Sequence, residues 1–481
     1  MDHPSLGPEA STAPSKSSIS RRILTPASIL LGALMMSWPA LWNGFPLLYP
    51  DSMTYLDDGR KVARALFLHQ LSEYYGMRSF FYSLGILPFH WNLNPWPVVA
   101  LQALLVAWVL WLVVRSVLPN CTPRRFAMSY LILVAALSLF TSLSWYVTLI
   151  LPDILGPALY LAVYLLVFAH QTLTRTERWI LYLIAWWGIT SHASHLLLAA
   201  GLCVLLVWLW LVWRSALKLR IQYIGEIAAV ILLAAASQLA LNGYLNHELS
   251  LNGDRPPFLT ARLIADGPGR WYLEKHCAEK KWVICNHLDH ASSDPDNFLW
   301  GSDGVWQSLS DDENTEMLRE ELPFAIATIR AYPGAQLSRS AANFWGQLTT
   351  FGLDDLDPSG YVLDQFPAVL PSAKASYLRS RQAQNAMPLE LFGSIHFWAA
   401  IVSLAVIASL LPHLIRNPSP RLIGLSAVMA SMVVANAAIT GTISMVEDRL
   451  QSRVVWLVPL LAGLLVLAWL NQWPRTRKNP R

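Results

Sequence analysis

Long apolar runs separated by short polar connections make up most of this chain. About ten of these runs have roughly the 20 residues that a helix needs to cross a hydrocarbon core of about 30 Å. The predicted spans cover residues 23–42, 95–117, 126–145, 150–170, 178–193, 195–213, 222–243, 394–415, 422–445 and 454–471. The pattern therefore predicts an all-α polytopic membrane protein with about ten transmembrane helices.

Two connections are much longer than the others. The first, residues 43–94, contains "SMTYLDDGRKVARALFLHQL", whose apolar residues recur at helical spacing opposite a charged face. We expect a helix on the membrane surface there, followed by the apolar piece "FFYSLGILPFHW", which is too short to span and is interfacial or re-entrant. The second, residues 244–393, has the composition of a soluble protein and predicts a mainly helical domain.

The basic residues predict how the chain lies in the membrane. Only 14% of the residues are charged and 54% are hydrophobic, and Lys and Arg concentrate on the cytoplasmic side of spanning helices. One orientation places the basic connections together in the cytoplasm: Arg124, Arg125, Arg175, Arg178, Arg214, Lys218, Arg220, Arg416 and Arg421. The predicted organisation is then a disordered cytoplasmic tail (1–22), spans 1–7 with the first outer loop (23–243), an extracytoplasmic domain (244–393), spans 8–10 (394–471) and a basic cytoplasmic tail (472–481).

The four cysteines divide between these compartments. Cys277 and Cys285 lie in the predicted extracytoplasmic domain, whereas Cys121 lies at a cytoplasmic end and Cys203 inside a span. An oxidising outer compartment favours a disulfide between the first pair, and two free buried thiols are the alternative.

Three acids stand where the first predicted span ends. Asp51 follows Pro50 at the membrane surface, where a carboxylate can meet both a lipid head group and a water-soluble partner. The alternative is a helix cap, in which Asp51 or Ser52 accepts backbone N–H bonds. Asp57 and Asp58 are predicted to form the solvated face of the surface helix.

A second acid and two histidines are predicted at the same height. Asp153 begins the fourth span in "LPDIL", where an ionisable residue indicates either function or a helix cap. His192 and His195 lie in the next outer turn, three residues apart. They orient a substrate, bind a metal or are interfacial polar residues; a divalent metal held by Asp51, Asp153 and His192 is the metal alternative.

Two arginines occur on the outer side, against the positive-inside trend. Arg449 and Arg453 lie between the last two spans in "SMVEDRLQSRVVWLVPL". They bind a phosphate, whose oxygens match the paired donors of Arg, or they pair with Glu447 and Asp448. Arg78 of the first outer loop is counted with them as a substrate-binding candidate.

Together, these features resemble integral-membrane glycosyltransferases of the GT-C superfamily, particularly the bacterial kind that takes sugar from polyprenyl-phosphate donors. The resemblance rests on the ten-span layout, the acid in the first outer loop, "LPDIL" and "DRLQSRVVWLVPL". It implies a bacterial inner-membrane enzyme with Asp51 as catalytic acid or base, Asp153 as second acid, and Arg449 and Arg453 near the lipid phosphate.

The implied donor is a polyprenyl-phosphate sugar, and the acceptor is an envelope glycan, lipid or protein. Many members of that superfamily have adjacent acids where this chain has Asp51 and Ser52, so Asp57 and Asp58 remain alternatives for the base. A transporter or flippase for a lipid-linked or polyanionic substrate and a structural envelope scaffold are the alternative functions. No basic patch indicates nucleic-acid binding, and no glycine-rich phosphate loop is present.

Overall fold

The computed structural model describes residues 16–72, 75–76, 78–247, 249–251 and 255–476. Of the predicted tails, residues 1–15 and 477–481 lie outside this range, and the first helix already begins at Lys16. The described residues form α-helices and short 3-10 helices, and no strand occurs among them. We call the end of the helix bundle next to residues 244–393 the outer end, and those residues the outer region, after the predicted topology.

The helices before the outer region are α1 (Lys16–Met36), α2 (Trp38–Asn43), α3 (Pro50–Leu68), α4 (Phe80–His90), α5 (Trp96–Val117), α6 (Pro123–Phe140), α7 (Leu143–Thr148), α8 (Leu155–Phe168), α9 (Arg175–Thr190), α10 (Ala193–Leu217) and α11 (Ile221–Leu245). The outer region contains α12 (Phe258–Asp266), α13 (Pro268–Lys280), α14 (Pro295–Trp300), α15 (Val305–Ser308), α16 (Asp311–Ala331), α17 (Pro333–Thr349), α18 (Gly360–Val369) and α19 (Lys374–Leu378). The chain ends with α20 (Leu389–Arg416), α21 (Pro420–Ile443), α22 (Asp448–Val455) and α23 (Leu457–Thr476).

Seven helical segments of the described chain are long and apolar enough to cross a membrane. They are α5, α6, α10, α11, α20, α21 and the segment Asp448–Asn471, which joins α22 and α23. Every predicted span overlaps a helix, but those at 23–42, 150–170 and 178–193 fall on α1, α8 and α9, which are shorter apolar segments or shorter helices. A membrane protein with spanning helices is confirmed, and the number of about ten remains a prediction.

The surface helix α3 differs from its prediction on one face. Its apolar side packs against α4 and α18, and Asp57 forms a partly exposed ion pair with Lys61 at 2.7 Å. Asp58, in contrast, is 1% exposed. Its placement on a solvated face was wrong, because the chain folds back over it and the Gly76 N–H donates to Asp58 Oδ1 at 3.1 Å.

The outer region has two parts that pack differently. Residues 258–325 form most of a second hydrophobic core, to which Met445 and Leu450 also contribute, and the predicted disulfide between Cys277 and Cys285 is present next to it. Residues 353–389 instead join the core of the bundle, where Phe366 and Tyr377 contact Phe45. The buried Gln382 side chain accepts from the Leu48 N–H and donates to the Leu48 and Leu356 carbonyl oxygens. Residues 353–389 therefore pack as part of the bundle.

Candidate active site at the outer end of the bundle

A single parallel β-bridge brings the two predicted acids to one place. Leu47 and Leu149 form the bridge, and the Leu47 N–H donates to the Thr148 carbonyl oxygen at 3.1 Å. Asp51 follows one side of the bridge by four residues, and Asp153 follows the other side by four residues. Both acids therefore leave the bridge in the same direction, although about 100 residues separate them.

The Asp51 side chain does not cap α3, which was the alternative to a functional role. Pro50 occupies the first turn of α3, and the Ser52 hydroxyl accepts the Tyr49 N–H at 2.9 Å. With this end of α3 capped by Ser52, the Asp51 carboxylate accepts from Arg78 Nη2 at 2.6 Å. Its other oxygen lies 3.8 Å from Arg449 Nη1. The carboxylate is 16% exposed and thus reachable from outside.

Asp153 is the buried counterpart of Asp51. It lies in the 3-10 turn Pro152–Ile154 that leads into α8, and its side chain is 2% exposed. Arg453 Nη1 donates to one carboxylate oxygen at 2.9 Å, and Arg449 Nη1 lies 3.6 Å from the other. A carboxylate enclosed by two guanidinium groups in this way stays ionised and holds them in place.

Arg453 is fixed by neutral side chains as well as by Asp153. Its Nε and Nη2 donate to Asn436 Oδ1 at 3.0 and 2.7 Å, and Nη2 also donates to Ser194 at 3.2 Å. Asn436 in turn donates to the Leu450 carbonyl oxygen. This guanidinium is fully buried, so it acts as a fixed positive charge beneath the site.

Arg449 occupies the middle of the cluster. Its guanidinium lies 4.3 Å from the centre of the Tyr49 ring and between the two acids. Its backbone N–H donates to Asp355 and its carbonyl oxygen accepts from Tyr146, at 2.7 and 2.9 Å. The buried Arg449 Nε has no hydrogen-bond partner among the described residues. Among the described residues, Arg449 forms ion pairs with Asp51 and Asp153. It does not pair with Glu447 or Asp448, which was the alternative.

Glu447 adds a titratable group at the edge of the cluster. Burial raises its pKa to about 7, although the charge of Arg449 opposes this increase. Its backbone is held by Gln347, which donates to the Glu447 carbonyl oxygen at 2.8 Å and accepts the Glu447 N–H at 3.0 Å. Near neutral pH, the protonated and ionised forms of this carboxyl group therefore coexist.

The two histidines lie behind Asp153. His195 is fully buried, with Nδ1 2.8 Å from the Gly188 carbonyl oxygen, and its ring centre lies 5.2 Å from that of His192. His192 caps α10 by accepting the Ser194 N–H. Among the described residues, no three His, Cys, Asp or Glu side chains are placed to hold a metal ion. His192 thus contacts Ser194, which also accepts from Arg453, whereas His195 bonds to the backbone of α9.

The first part of the outer region reaches over the cluster. The Arg78 guanidinium, which holds Asp51, lies 5.7 Å from the centre of the Trp300 ring at the end of α14. Trp300, Tyr49, Asn436 and Asp355 were not identified from the sequence as site residues. Tyr49 has one sequence signal, which is its position two residues before Asp51. Trp300, Asn436 and Asp355 lie in other segments, and no local pattern marks them.

The centre of this cluster consists of three guanidinium groups and two carboxylates, and the Asp355 carboxylate borders it at the Arg449 N–H, so that three positive groups face three carboxylates: Arg78, Arg449, Arg453, Asp51, Asp153 and Asp355. Such a set, with an unsatisfied donor on Arg449, suits an anion with several oxygens, such as a phosphate. The exposed carboxylate beside it is placed to accept a proton.

Comparison of the chain with protein-family models, with curated proteins and with solved structures finds no match.

Proposed function

We propose that this chain is a GT-C-type glycosyltransferase that moves a sugar from a polyprenyl phosphate to an acceptor hydroxyl, with inversion at the anomeric carbon. The observation that supports the proposal is the position of Asp51, which is partly exposed and shares Arg449 with the buried Asp153. We place the protein in a bacterial inner membrane, with both termini in the cytoplasm and the outer region on the opposite side. The acceptor is an envelope glycan, lipid or protein.

The two acids have different roles in this proposal. Asp51 is the base in this proposal, because its carboxylate is partly exposed and its partners Arg78 and Arg449 are groups that bind phosphate. Asp153 positions Arg449 and Arg453, because it is enclosed by both guanidinium groups. We assign the base to Asp51 rather than to Asp57 or Asp58, because Asp57 pairs with Lys61 and Asp58 is buried against Gly76, whereas Asp51 lies beside Arg449.

The reaction follows from these positions. The donor phosphate binds Arg449 and Arg78 in place of the Asp51 carboxylate, which leaves that carboxylate free to accept the proton of the acceptor hydroxyl. The acceptor oxygen forms a bond to the anomeric carbon while the bond from that carbon to the phosphate oxygen breaks. The electron pair of that bond stays on the leaving phosphate, whose charge the two arginines neutralise. Direct attack of this kind inverts the anomeric centre.

The first test separates donor binding from chemistry. The full-length protein in lipid nanodiscs is exposed to polyprenyl phosphate, and thermal unfolding reports binding. A ligand at 100 times its Kd stabilises the folded state by about 2.7 kcal/mol. We expect this stabilisation in the wild type and in Asp51→Asn, and its loss in Arg449→Gln.

The second test measures transfer from a panel of radiolabelled polyprenyl-phosphate sugars to water-soluble or lipid products. Removal of a general base lowers the rate by about 10²–10⁴-fold, so Asp51→Asn is expected to bind the donor but to release almost no polyprenyl phosphate. Asp57→Asn is the matched control, because it lies on the same helix and pairs with Lys61. Equal turnover by Asp51→Asn and Asp57→Asn would refute the assignment, and movement of an intact donor across the bilayer without cleavage would favour a flippase.

A further inference from the structure

Helix α17 has its polarity inverted relative to a helix in water. Its buried positions include the polar residues Gln336 and Gln347, whereas Leu337 is 73% exposed and Trp345 is 61% exposed. A helix of a soluble domain buries its apolar stripe and exposes its polar one. The inverted arrangement is expected where the surroundings are lipid.

The buried polar side of α17 bonds to an acid of α12. Gln336 Nε2 and Asn343 Nδ2 donate to the two carboxylate oxygens of Asp266, at 2.8 and 2.9 Å. Arg262 completes this network with an ion pair to Asp266 at 2.7 Å. These hydrogen bonds are made within the protein, so the donors on the polar face of α17 do not need water as a partner. The apolar face is then the outer surface of the helix.

Helix α16, which precedes α17, changes its surface halfway along. The exposed residues of its first half are charged or polar, and those of its second half are largely apolar. The first group includes Asp311, Asp312, Thr315, Glu316 and Arg319, and the second includes Leu322, Pro323, Ile326, Ile329 and Ala331. Such a change along one helix indicates passage from water into an apolar layer.

The direction of α17 places the apolar half beside the membrane. Helix α17 packs along the candidate span α21, where a methyl group on Gly441 would lie 2.7 Å from the Asn343 carbonyl oxygen. Farther along α17, Gly346 lies next to Val446, three residues after the end of α21. The two helices therefore run in the same direction, towards the outer end. At 1.5 Å per residue, Leu337 lies about 9 Å deeper than Asn343.

We propose that the second half of α16 and helix α17 form a hairpin inserted into the leaflet at the outer end, with phospholipid as its partner. Acyl chains cover the exposed apolar side chains Leu322, Ile326, Ile329, Leu337 and Trp345. Arg339, exposed on α17 about 6 Å deeper than Asn343, extends its guanidinium group to head-group phosphates, and Arg330 is exposed next to the turn. The inference does not depend on the reaction catalysed.

The hairpin is also connected to the site. Gln347, at the end of α17, holds both backbone polar groups of Glu447, two residues before Arg449. The lipid-facing hairpin thus borders the cluster from the side of the bilayer.

Nitroxide labelling of the full-length protein in vesicles of phosphatidylethanolamine and phosphatidylglycerol tests the insertion. In a background with Cys121→Ser and Cys203→Ala, single cysteines replace Ile329, Leu337 or, as the matched control on α16, Arg319. Electron paramagnetic resonance then measures collisions of each label with oxygen, which is enriched in lipid, and with a water-soluble nickel chelate.

We expect collisions with oxygen to exceed those with the chelate for Ile329→Cys and Leu337→Cys, and the reverse for Arg319→Cys. Chelate collisions that are as frequent at all three positions would show a water-exposed hairpin and overturn the proposal. Low collision rates with both reagents at Ile329 and Leu337 would show cover by protein, including a second copy of this chain, and would overturn it as well.

Discussion

Replacement of Asp58 by Asn removes a charge that the fold buries at a cost. Burial raises the pKa of Asp58 from its ordinary value of 3.8 to about 6, against the opposing effects of the Gly76 N–H and Lys61. Each pKa unit corresponds to about 1.4 kcal/mol, so the cost of the ionised form is about 3 kcal/mol. In Asp58→Asn, the new amide oxygen can still accept the Gly76 N–H, and Lys61 keeps its 2.7 Å contact with Asp57.

The sign of the effect follows from proton binding. Between about pH 4 and pH 6, the unfolded chain has lost the Asp58 proton while the folded protein retains it, so the stability of the wild type falls as the pH rises. Asp58→Asn lacks this loss. We expect it to match the wild type near pH 4 and to exceed it by about 3 kcal/mol above pH 7.

Thermal or denaturant unfolding in nanodiscs at a series of pH values between 4 and 8 measures this difference. Asp57→Asn is the control, because its ion pair is partly exposed and contributes less than about 1 kcal/mol. Destabilisation of Asp58→Asn at pH 7.5 would refute the reasoning, since it would mean that the ionised carboxylate stabilises the fold through Gly76.

Three further variants test contacts of the outer end and the outer region. Gly76→Ala places a methyl group 2.1 Å from Thr54 Cγ2, so we expect a displaced loop and faster proteolysis after residue 72, with unchanged cleavage elsewhere. Cys277→Ser with Cys285→Ser removes a disulfide between residues eight positions apart, so the free energy of unfolding should fall by between about 2 and 3 kcal/mol. Wild type treated with reductant should unfold at the same lower temperature. Gln382→Ala leaves buried backbone groups unpaired and should lower stability by about 3 kcal/mol in denaturant unfolding, whereas no loss would contradict its role.

Seven of the ten predicted spans fall on segments long and apolar enough to cross a membrane, and their positions follow from local pattern. Apolar runs of span length have few alternatives to a helix, because in lipid each backbone N–H and carbonyl must bond within its own segment. The meeting of Asp51, Asp153 and Arg449 was also predicted, since alternation of spans placed all three at one end. The resemblance to a glycosyltransferase family remains a prediction.

The errors concern partners that lie far along the chain. Periodicity placed Asp58 with Asp57 on the solvated face, because Gly76, which lies 18 residues later, leaves no mark on the local pattern. The outer region was predicted as one domain of soluble type. Its sequence did not reveal that the polar residues of α17 face inwards, since local periodicity defines the two faces of a helix but not which face a neighbour covers.

The contacts of Gln382 have a consequence for the order in which the protein is made. Leu48 lies three residues before Asp51, and its N–H and carbonyl groups bond to a side chain synthesised more than 300 residues later. Arg449 and Arg453 come later still. During synthesis, the early helices are therefore present before the residues that close their outer end. At that stage Asp51 and Asp153 have neither Arg449 nor Arg453 beside them. The cluster is completed only when the last helices are in place, so a chain truncated before them has both acids without Arg449 and Arg453.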